Sequence, residues 1–417
     1  LNMVSVIRDP KLADSGRIRV EWAERNMPAL RKIFDDYRDS KPFKGVKISL
    51  CLHITKETGV FVKYLKELGA EVSLAASNPL STQDDVAAYL SSIGINVFGW
   101  RGMSQEEYFQ MLGSALEFRP DLVVDDGGDL HSLIHSKFPE YIDNIIGGTE
   151  ETTTGVIRLK VLESEGRLGY PVIAVNDTPT KRVIDNKYGT GQSAVDGFLR
   201  ATSLLVAGKN VVVAGYGYVG EGVAKRFRGL GAKVIVTEVD PLKALKAHLD
   251  GFKVLKMEEA AKIGDIFITC TGMKDVIRGE HIKLMKNGAF LANAGHFNVE
   301  INLDDLRNLS RDVKRVRPYV DEYVLGDGRR IYLLGEGRLI NLVAAEGHPP
   351  DVMMASFSNQ LLSLKYLLEK GSSMDRKVYQ VPREIDERVA RYILEGWGIE
   401  IDELSEDQKK YWRMWRV

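Results

Sequence analysis

An α/β protein built from two parallel-sheet domains, with a small helical extension at the C-terminus, is what three observations in this sequence predict. Short apolar runs alternate with helical stretches from residue 46 to residue 125. A second series of the same kind opens on the apolar run 210–214. The two series fill a chain of 417 residues, more than one ordinary core encloses. At 44% hydrophobic, 28% charged and a net charge of −1, the composition is that of a globular protein and argues against nucleic acid or a membrane surface as partner. No apolar run is long enough to cross a bilayer and no secretory leader is evident, so a cytoplasmic location is expected. Cys51 and Cys270 sit singly in apolar runs, as buried thiols do, and neither a disulfide nor a metal site is expected.

Taken in order, residues 20–37 place Trp22, Met27, Leu30, Ile33 and Phe34 at helical spacing, as a core-facing helix would. Strand 46–52, helix 57–68, strand 70–75, helix 83–93, strand 95–98, helix 105–118 and strand 121–124 follow. In a parallel sheet, ligands gather beyond the carboxyl ends of the strands, and here those ends carry chemistry. His53, Thr55 and Glu57 follow the first strand; Asp125 and Asp126 follow the fourth. A helix is expected to begin near Glu150, Glu151, Thr152, Thr153 and Thr154. Strand 171–175 then delivers Asn176 and Asp177, with Lys181, Asp185 and Asn186 just beyond. Each alone reads as a helix cap, a turn acid or a solvated charge. Ionisable groups at successive strand ends on one rim read as a site.

Residues 194–206 form a helix leading to the run 210–214, which feeds Gly215, Gly217 and Gly220 in the spacing G-x-G-x-x-G. A helix over 219–227 and a strand over 233–237 ending on Glu238 complete a dinucleotide-binding Rossmann fingerprint. Gly215 permits the tight turn, Gly217 the approach of backbone to pyrophosphate, and Gly220 close packing of helix on strand, with the helix N-terminus facing the phosphates. The Glu238 carboxylate accepts from a ribose diol and repels a 2′-phosphate, which favours NAD over NADP; Lys243 nearby tempers that preference. The runs 265–272 and 289–297 read as later strands whose ends, at Thr271 and His296, lie where the nicotinamide half belongs. Residues 335–350 return the chain, and the break Gly347-His348-Pro349-Pro350 reads as a hinge. A helix over 353–368 packs back on the first sheet. A helix over 383–395 and a last helix opening on the capping box Ser405 to Gln408 close the chain, with Tyr411, Trp412 and Trp415 leaving one side apolar for a neighbour. The expected domains are 1–186 completed by 349–382 for substrate, 187–348 for NAD, and 383–417 as an oligomerisation extension.

Long motifs carry a resemblance along nearly the full length: LHITKETG at 52–59, DDGGDL at 125–130, EETTTG at 150–155, NDTPTK at 176–181, AGYGYVG at 214–220, AGHFNVEI at 294–301, and EGRLINL with GHP at 336–349. The chain resembles the S-adenosylhomocysteine hydrolase family. That resemblance implies reversible cleavage of S-adenosylhomocysteine to adenosine and homocysteine, with a tightly held NAD regenerated in each cycle, in a homotetramer. The chemistry is physically coherent. The C4′ hydrogen of ribose is too weak an acid for any side chain, but oxidation of the 3′-hydroxyl to a ketone places it α to a carbonyl, where a positioned base removes it and the 5′-thiolate leaves.

The resemblance further implies that Lys181 and Asp185 hold the ribose hydroxyls, with Lys181 assisting loss of the 3′-hydroxyl proton and Asn186 positioning that end. Asp126 would take the C4′ proton, Glu151 would orient the ribose, and His53 with His296 would serve as acid and base at the 5′ side. Thr55, Glu57, His348 and Met353 would surround the adenine, the Glu57 carboxylate accepting from the exocyclic amine. Thr152, Thr153, Thr154, Lys243, Thr271 and Asn341 would join the glycines and Glu238 around NAD, and Lys410 and Tyr411 would stand in for the tail residues that reach a neighbour's NAD. Departures from the family pattern are Thr190 for a cysteine, Asn298 for an aspartate, Lys243 for an asparagine and Glu346 for a methionine. Two other classes compete with this reading, a hydroxy-acid dehydrogenase that releases NAD each turn and an inactive regulatory homologue. The adenosine-side motifs oppose the first, and retention of Lys181, Asp185, Asp126 and His53 opposes the second. A hydrolase taking inosine in place of adenosine is a variant of the main reading, disfavoured by Glu57.

Overall fold

A computed structural model describes residues 4–416. The first sheet is laid down by β1 (Lys47–Leu52), β2 (Glu71–Ala76), β3 (Asn96–Phe98), β4 (Leu122–Asp125), β5 (Gly147–Glu150) and β6 (Val172–Ala174). The second takes β7 (Asn210–Ala214), β8 (Lys233–Thr237), β9 (Lys253–Val254), β10 (Ile266–Thr269), β11 (Ala289–Asn293), β12 (Ser310–Arg317), β13 (Val320–Leu325) and β14 (Arg330–Leu334). The chain then returns to add β15 (Val378–Gln380) to the first sheet. The first sheet is parallel throughout, in the order β15-β6-β5-β4-β1-β2-β3. Its strands are buried along nearly their whole length, because helices cover both faces, and they therefore read as unbroken apolar runs without alternation. The second runs β12-β13-β14-β11-β10-β7-β8-β9 and is parallel from β14 to β9.

The parallel part of each sheet reverses its strand order once, between β1 and β4 in the first and between β7 and β10 in the second. A crevice opens beyond the carboxyl ends of the strands at such a point. The chain itself carries the two together: the helix Thr190–Thr202 leads from one to the other, and the helix Pro350–Lys370 brings it back.

Four expectations need correction. The helix over 20–37 is two helices, Ala13–Arg25 and Pro28–Tyr37, because Pro28 lacks an N–H and drives Met27 out of the helical region. Trp22, expected in the core, is 59% exposed, whereas Met27, Leu30, Ile33 and Phe34 are buried. The helix expected near Glu150 begins at Thr153, and ahead of it lies the strand β5, of sequence GGTE, which no apolar pattern announced. Its glycines are there for want of room: a Cβ on Gly148 would stand 2.8 Å from the Val123 carbonyl oxygen, and one on Gly147 3.0 Å from that of Pro171. Last, the second sheet is mixed, since β13 and β12 add antiparallel strands beyond β14; β12 is an exposed, basic edge.

At the C-terminus, the helix Arg383–Gly396 packs against Pro28–Tyr37 and Pro350–Lys370 through buried Ile385, Val389 and Ile393. The last helix, Glu406–Trp412, opens on the expected capping box of Ser405 and Gln408 and buries no residue of its own. No helix among the described residues is long and apolar enough to cross a membrane.

Candidate active site

The four adjacent strands β1, β4, β5 and β6 each end in a polar group on the same rim. Beyond β1, His53 is held by Ser81, whose hydroxyl oxygen lies 2.5 Å from Nδ1, and it turns Nε2 toward Asp126, 3.7 Å away. Beyond β4, Asp125 and Asp126 divide the work. Asp125 is fully buried and accepts from the N–H groups of Asp126 and His131 at 2.8 and 2.9 Å, whereas Asp126 keeps 17% of its side chain exposed at the rim. Beyond β5, Glu150 turns inward, and one of its oxygens accepts from the N–H groups of Gly127, Glu151 and Thr152. Glu151 next to it accepts from the Ser356 hydroxyl and, at 2.6 Å, from Gln360. Burial, against the pull of Lys181, pushes the Glu151 carboxyl up to about 7.

Beyond β6 the chain does something the sequence did not announce. Residues Arg182–Gly189 form a π-helical segment, a wider coil often found at functional sites. It follows the single turn Pro179–Lys181, and together they bring the side chains of Lys181, Asp185 and Asn186 to one point. Lys181 Nζ donates to Asn176 Oδ1 at 2.9 Å and Asn186 Oδ1 at 3.0 Å, and lies 3.6 Å from Asp185 Oδ1. His348 Nε2 stands 3.0 Å from the same Asp185 oxygen. Burial opposes ionisation of Asp185, but His348 and Lys181 outweigh it and hold the carboxyl far below its usual range. His348, expected beside the base, thus serves the carboxylate assigned to the ribose.

On the facing sheet, the glycine turn has the geometry its spacing implied. Gly215 has φ +105, and a Cβ on Gly220 would overlap the Gly215 carbonyl, so helix Tyr218–Gly229 and strand β7 meet as closely as they do only because both are glycine. A Cβ on Gly217 would meet nothing within 4 Å: the space over this turn is open. Glu238 accepts from the N–H of Tyr216 at 2.7 Å and of Val239 at 2.8 Å, which fixes it against the turn, and Lys243 is exposed at the start of the helix Pro241–Leu249. Asn341 is buried with its side-chain oxygen unpaired. An open glycine turn, a fixed acid at the end of β8 and a buried amide lacking a partner fit a dinucleotide. The residues that would hold NAD are Gly215, Gly217, Gly220, Glu238, Thr271 and Asn341.

The two rims meet. Thr154, at the start of helix Thr153–Ser164 on the first sheet, is hydrogen-bonded to His296 Nε2, which follows β11 of the second. Burial lowers the pKa of His296, opposed by Glu300 and Asp126, so the ring is neutral at neutral pH. Thr152 caps its helix by accepting from the Gly155 N–H at 3.0 Å, and Thr153 accepts from Asn176 at 2.9 Å. Thr55 caps the helix Lys56–Glu67, Glu57 is buried in that helix's first turn, and Met353 is half-buried at the head of Pro350–Lys370. Lys410 and Tyr411 are not part of this cluster; both are exposed on Glu406–Trp412.

Several working residues escaped the sequence. Glu300, fully buried, accepts from the N–H groups of Thr271 and Gly272 and from that of His296, at 2.8, 3.1 and 2.9 Å, and so ties two strand ends together. Ser356 and Gln360 hold Glu151 from 205 or more positions away. Their one signal was polar residues at i and i+4 on helix Pro350–Lys370, which carries Ser358, Asn359 and Ser363 as well.

Fold and site together define a two-sheet, NAD-dependent enzyme whose dinucleotide rim faces an acid-base cluster. Comparison with known proteins gives the family. Residues 5–138 match the family described as S-adenosyl-L-homocysteine hydrolase, and residues 186–347 match its NAD binding domain. An adenosylhomocysteinase of Aeropyrum pernix is 58% identical over 410 residues, 98% of this chain and 99% of the relative. One from Aquifex aeolicus is 56% identical over 99% of each chain. An S-inosyl-L-homocysteine hydrolase of Methanocaldococcus jannaschii is 54% identical over 98% of this chain and 99% of that protein. Among solved structures, a dipicolinate synthase polypeptide from Bacillus halodurans matches 78% of this chain and 99% of its own with a TM-score of 0.50 at 16% identity, a likeness of fold alone. The chain belongs to the S-adenosyl-L-homocysteine hydrolase family.

Proposed function

We propose that this protein hydrolyses S-adenosyl-L-homocysteine reversibly to adenosine and L-homocysteine, holding NAD through the cycle. The observation that carries the reading is the Thr154–His296 contact, which sets the nucleotide rim against the cluster of Lys181, Asp185 and Asn186. NAD, when bound, supplies reversible oxidation of the ribose 3′-hydroxyl to a ketone.

The chain's own residues do the rest. Asp185, kept ionised by Lys181 and His348, accepts from ribose hydroxyls, and the Lys181 nitrogen, held in place by Asn186, takes up the 3′-hydroxyl proton. Glu151, clamped by Ser356 and Gln360, orients the sugar. Asp126 removes the C4′ proton once that carbon lies α to a carbonyl. His53, beside Asp126, serves as acid and base at the 5′ side, where the thiolate departs, and His296 on the facing rim, its pKa lowered by burial, helps water enter at C5′. Glu57 accepts from the base, between Thr55 and Met353. The nucleotide contacts comprise Thr152, Thr153, Thr154, Lys243, Thr271 and Asn341 beside the glycines and Glu238. The substrate unit, 1–186 with 349–382, closes on the NAD unit 187–348 about the crossings near Asn186 and His348, where Gly347 has φ +79.

The working form is a homotetramer in the cytoplasm. Exposed Trp397, Ile401, Tyr411, Trp412 and Trp415 support burial of the tail by a neighbour, with Lys410 and Tyr411 reaching the adjoining NAD, and the free, buried thiols of Cys51 and Cys270 suit a reducing compartment. The test is thiol release from S-adenosylhomocysteine by the NAD-loaded protein. Lys181→Ala and Asp126→Asn, still holding NAD, are expected to lose about 10²–10⁴-fold in kcat. Undiminished release by either variant would remove the assigned roles.

A further inference from the structure

We propose that Lys56 is a specificity-determining residue for the purine 6-position, and that with Glu57 it lets this site accept a 6-oxo purine as well as a 6-amino purine. The inference rests on the hydrolase reading above and deepens it. Lys56 opens the helix whose cap is Thr55 and whose first turn holds Glu57, the two residues assigned to the base. Its side chain is 10% exposed, and its Nζ lies 2.9 Å from Glu57 Oε1 and 3.6 Å from Glu346 Oε1. Glu57 is 2% exposed, and apart from that ion pair its Oε1 has no hydrogen-bond partner. Glu346 is half-exposed and shared with Arg200 at 3.3 Å and Arg19 at 3.9 Å, so it holds Lys56 only in part. Among the described residues, the site therefore sets side by side a buried cation with donors to spare and a buried carboxylate with lone pairs to spare.

That pairing matters because the two purines present inverted edges. Adenine offers a 6-amino donor next to an N1 acceptor; hypoxanthine offers a 6-oxo acceptor next to an N1–H donor. A lone carboxylate suits the 6-amino group and repels the 6-oxo group, and a site built for one pattern rejects the other by about 10⁴–10⁵-fold, since buried polar groups are left unpaired. With Lys56 beside it, Glu57 takes the amino N–H of adenine while Lys56 donates to N1, or Glu57 takes the N1–H of hypoxanthine while Lys56 donates to O6. The balance of donors and acceptors closes either way.

The test compares kcat/KM for S-inosylhomocysteine and S-adenosylhomocysteine in the NAD-loaded wild type, Lys56→Met and Lys56→Arg, with calorimetric binding of inosine and adenosine to the same proteins as a second readout. The wild type is expected to use both thioethers within about 100-fold of one another, well inside the rejection limit of a one-pattern site. Lys56→Met should lower the inosyl-to-adenosyl ratio by about 100-fold, and Lys56→Arg should retain most of it. Cleavage of the adenosyl thioether alone by the wild type, or an equal loss on both by Lys56→Met, would overturn the inference while leaving the hydrolase reading in place. Cleavage of neither by the wild type would overturn both.

Discussion

Asp125 and Asp126 are consecutive, yet the end of β4 gives them opposite surroundings. Burial, against N–H bonds from His131 and Asp126 and reinforced by the Asp129 charge, pushes the Asp125 carboxyl up to about 7. A carboxyl raised above its unfolded value of about 3.9 contributes stability that is complete below that value and is lost as pH climbs through 7. Measured against Asp125→Asn by chemical denaturation, the wild type is thus expected to lose relative stability between about pH 4 and 7; a difference flat across that range would contradict the burial argument. Glu300 is a second buried carboxylate, an acceptor for at least three N–H groups and the Thr271 hydroxyl. Glu300→Gln replaces an acceptor oxygen with a donor at a fully buried side chain, sets N–H groups against an NH₂, and should destabilise the protein by about 1–3 kcal/mol in thermal or urea unfolding. At this scale the sequence was legible where a residue stood at a strand end within a long motif, as with Lys181, Asp185 and His53. It did not single out Glu300, Ser356 and Gln360, whose burial arises only when distant segments pack.

Among the elements, the glycine turn allows the sharpest separation of folding from binding. Gly220→Ala drives a Cβ into the Gly215 carbonyl, so its midpoint of unfolding should fall even without cofactor. Gly217→Ala meets nothing and has φ −79, which any residue adopts, so it should unfold like the wild type yet bind NAD at least about tenfold more weakly. Equal effects of the two on stability, with NAD affinity unchanged in Gly217→Ala, would refute the division of roles among the glycines. The fingerprint was readable because strand, turn, helix and acid lie within about thirty residues and obey local rules. β5 was not, because glycines selected by close contact with neighbouring strands mimic a loop. Nor was the π-helical segment at Arg182–Gly189, whose extra width reflects the tertiary setting of Lys181 and Asp185 more than any local propensity.

At the scale of the whole molecule, what matters is that two sheets, each with a reversal of strand order, meet at their rims through Thr154 and His296. The sequence implied each crevice through its strand ends, but not their meeting, which depends on the contact of Thr154 with His296, on the ion pairs Lys56–Glu346 and Asp185–His348, and on helix Pro350–Lys370 returning to the first sheet. The tail poses the complementary case: the buried half of the extension belongs to the packing of one chain, and the exposed half, from Trp397 onward, finds no core of its own. Deleting residues from 405 onward is therefore expected to yield a smaller species by light scattering that holds NAD less tightly, and an unchanged mass would contradict the assembly proposed for it. The central claim is that an elimination beyond the reach of these acids and bases becomes possible only after the 3′-hydroxyl is oxidised. Its most direct measurement is homocysteine release from the 3′-deoxy analogue of S-adenosylhomocysteine by the NAD-loaded protein. The account predicts that the analogue binds and releases no thiol while the natural thioether is cleaved; release from both at comparable rates would contradict it.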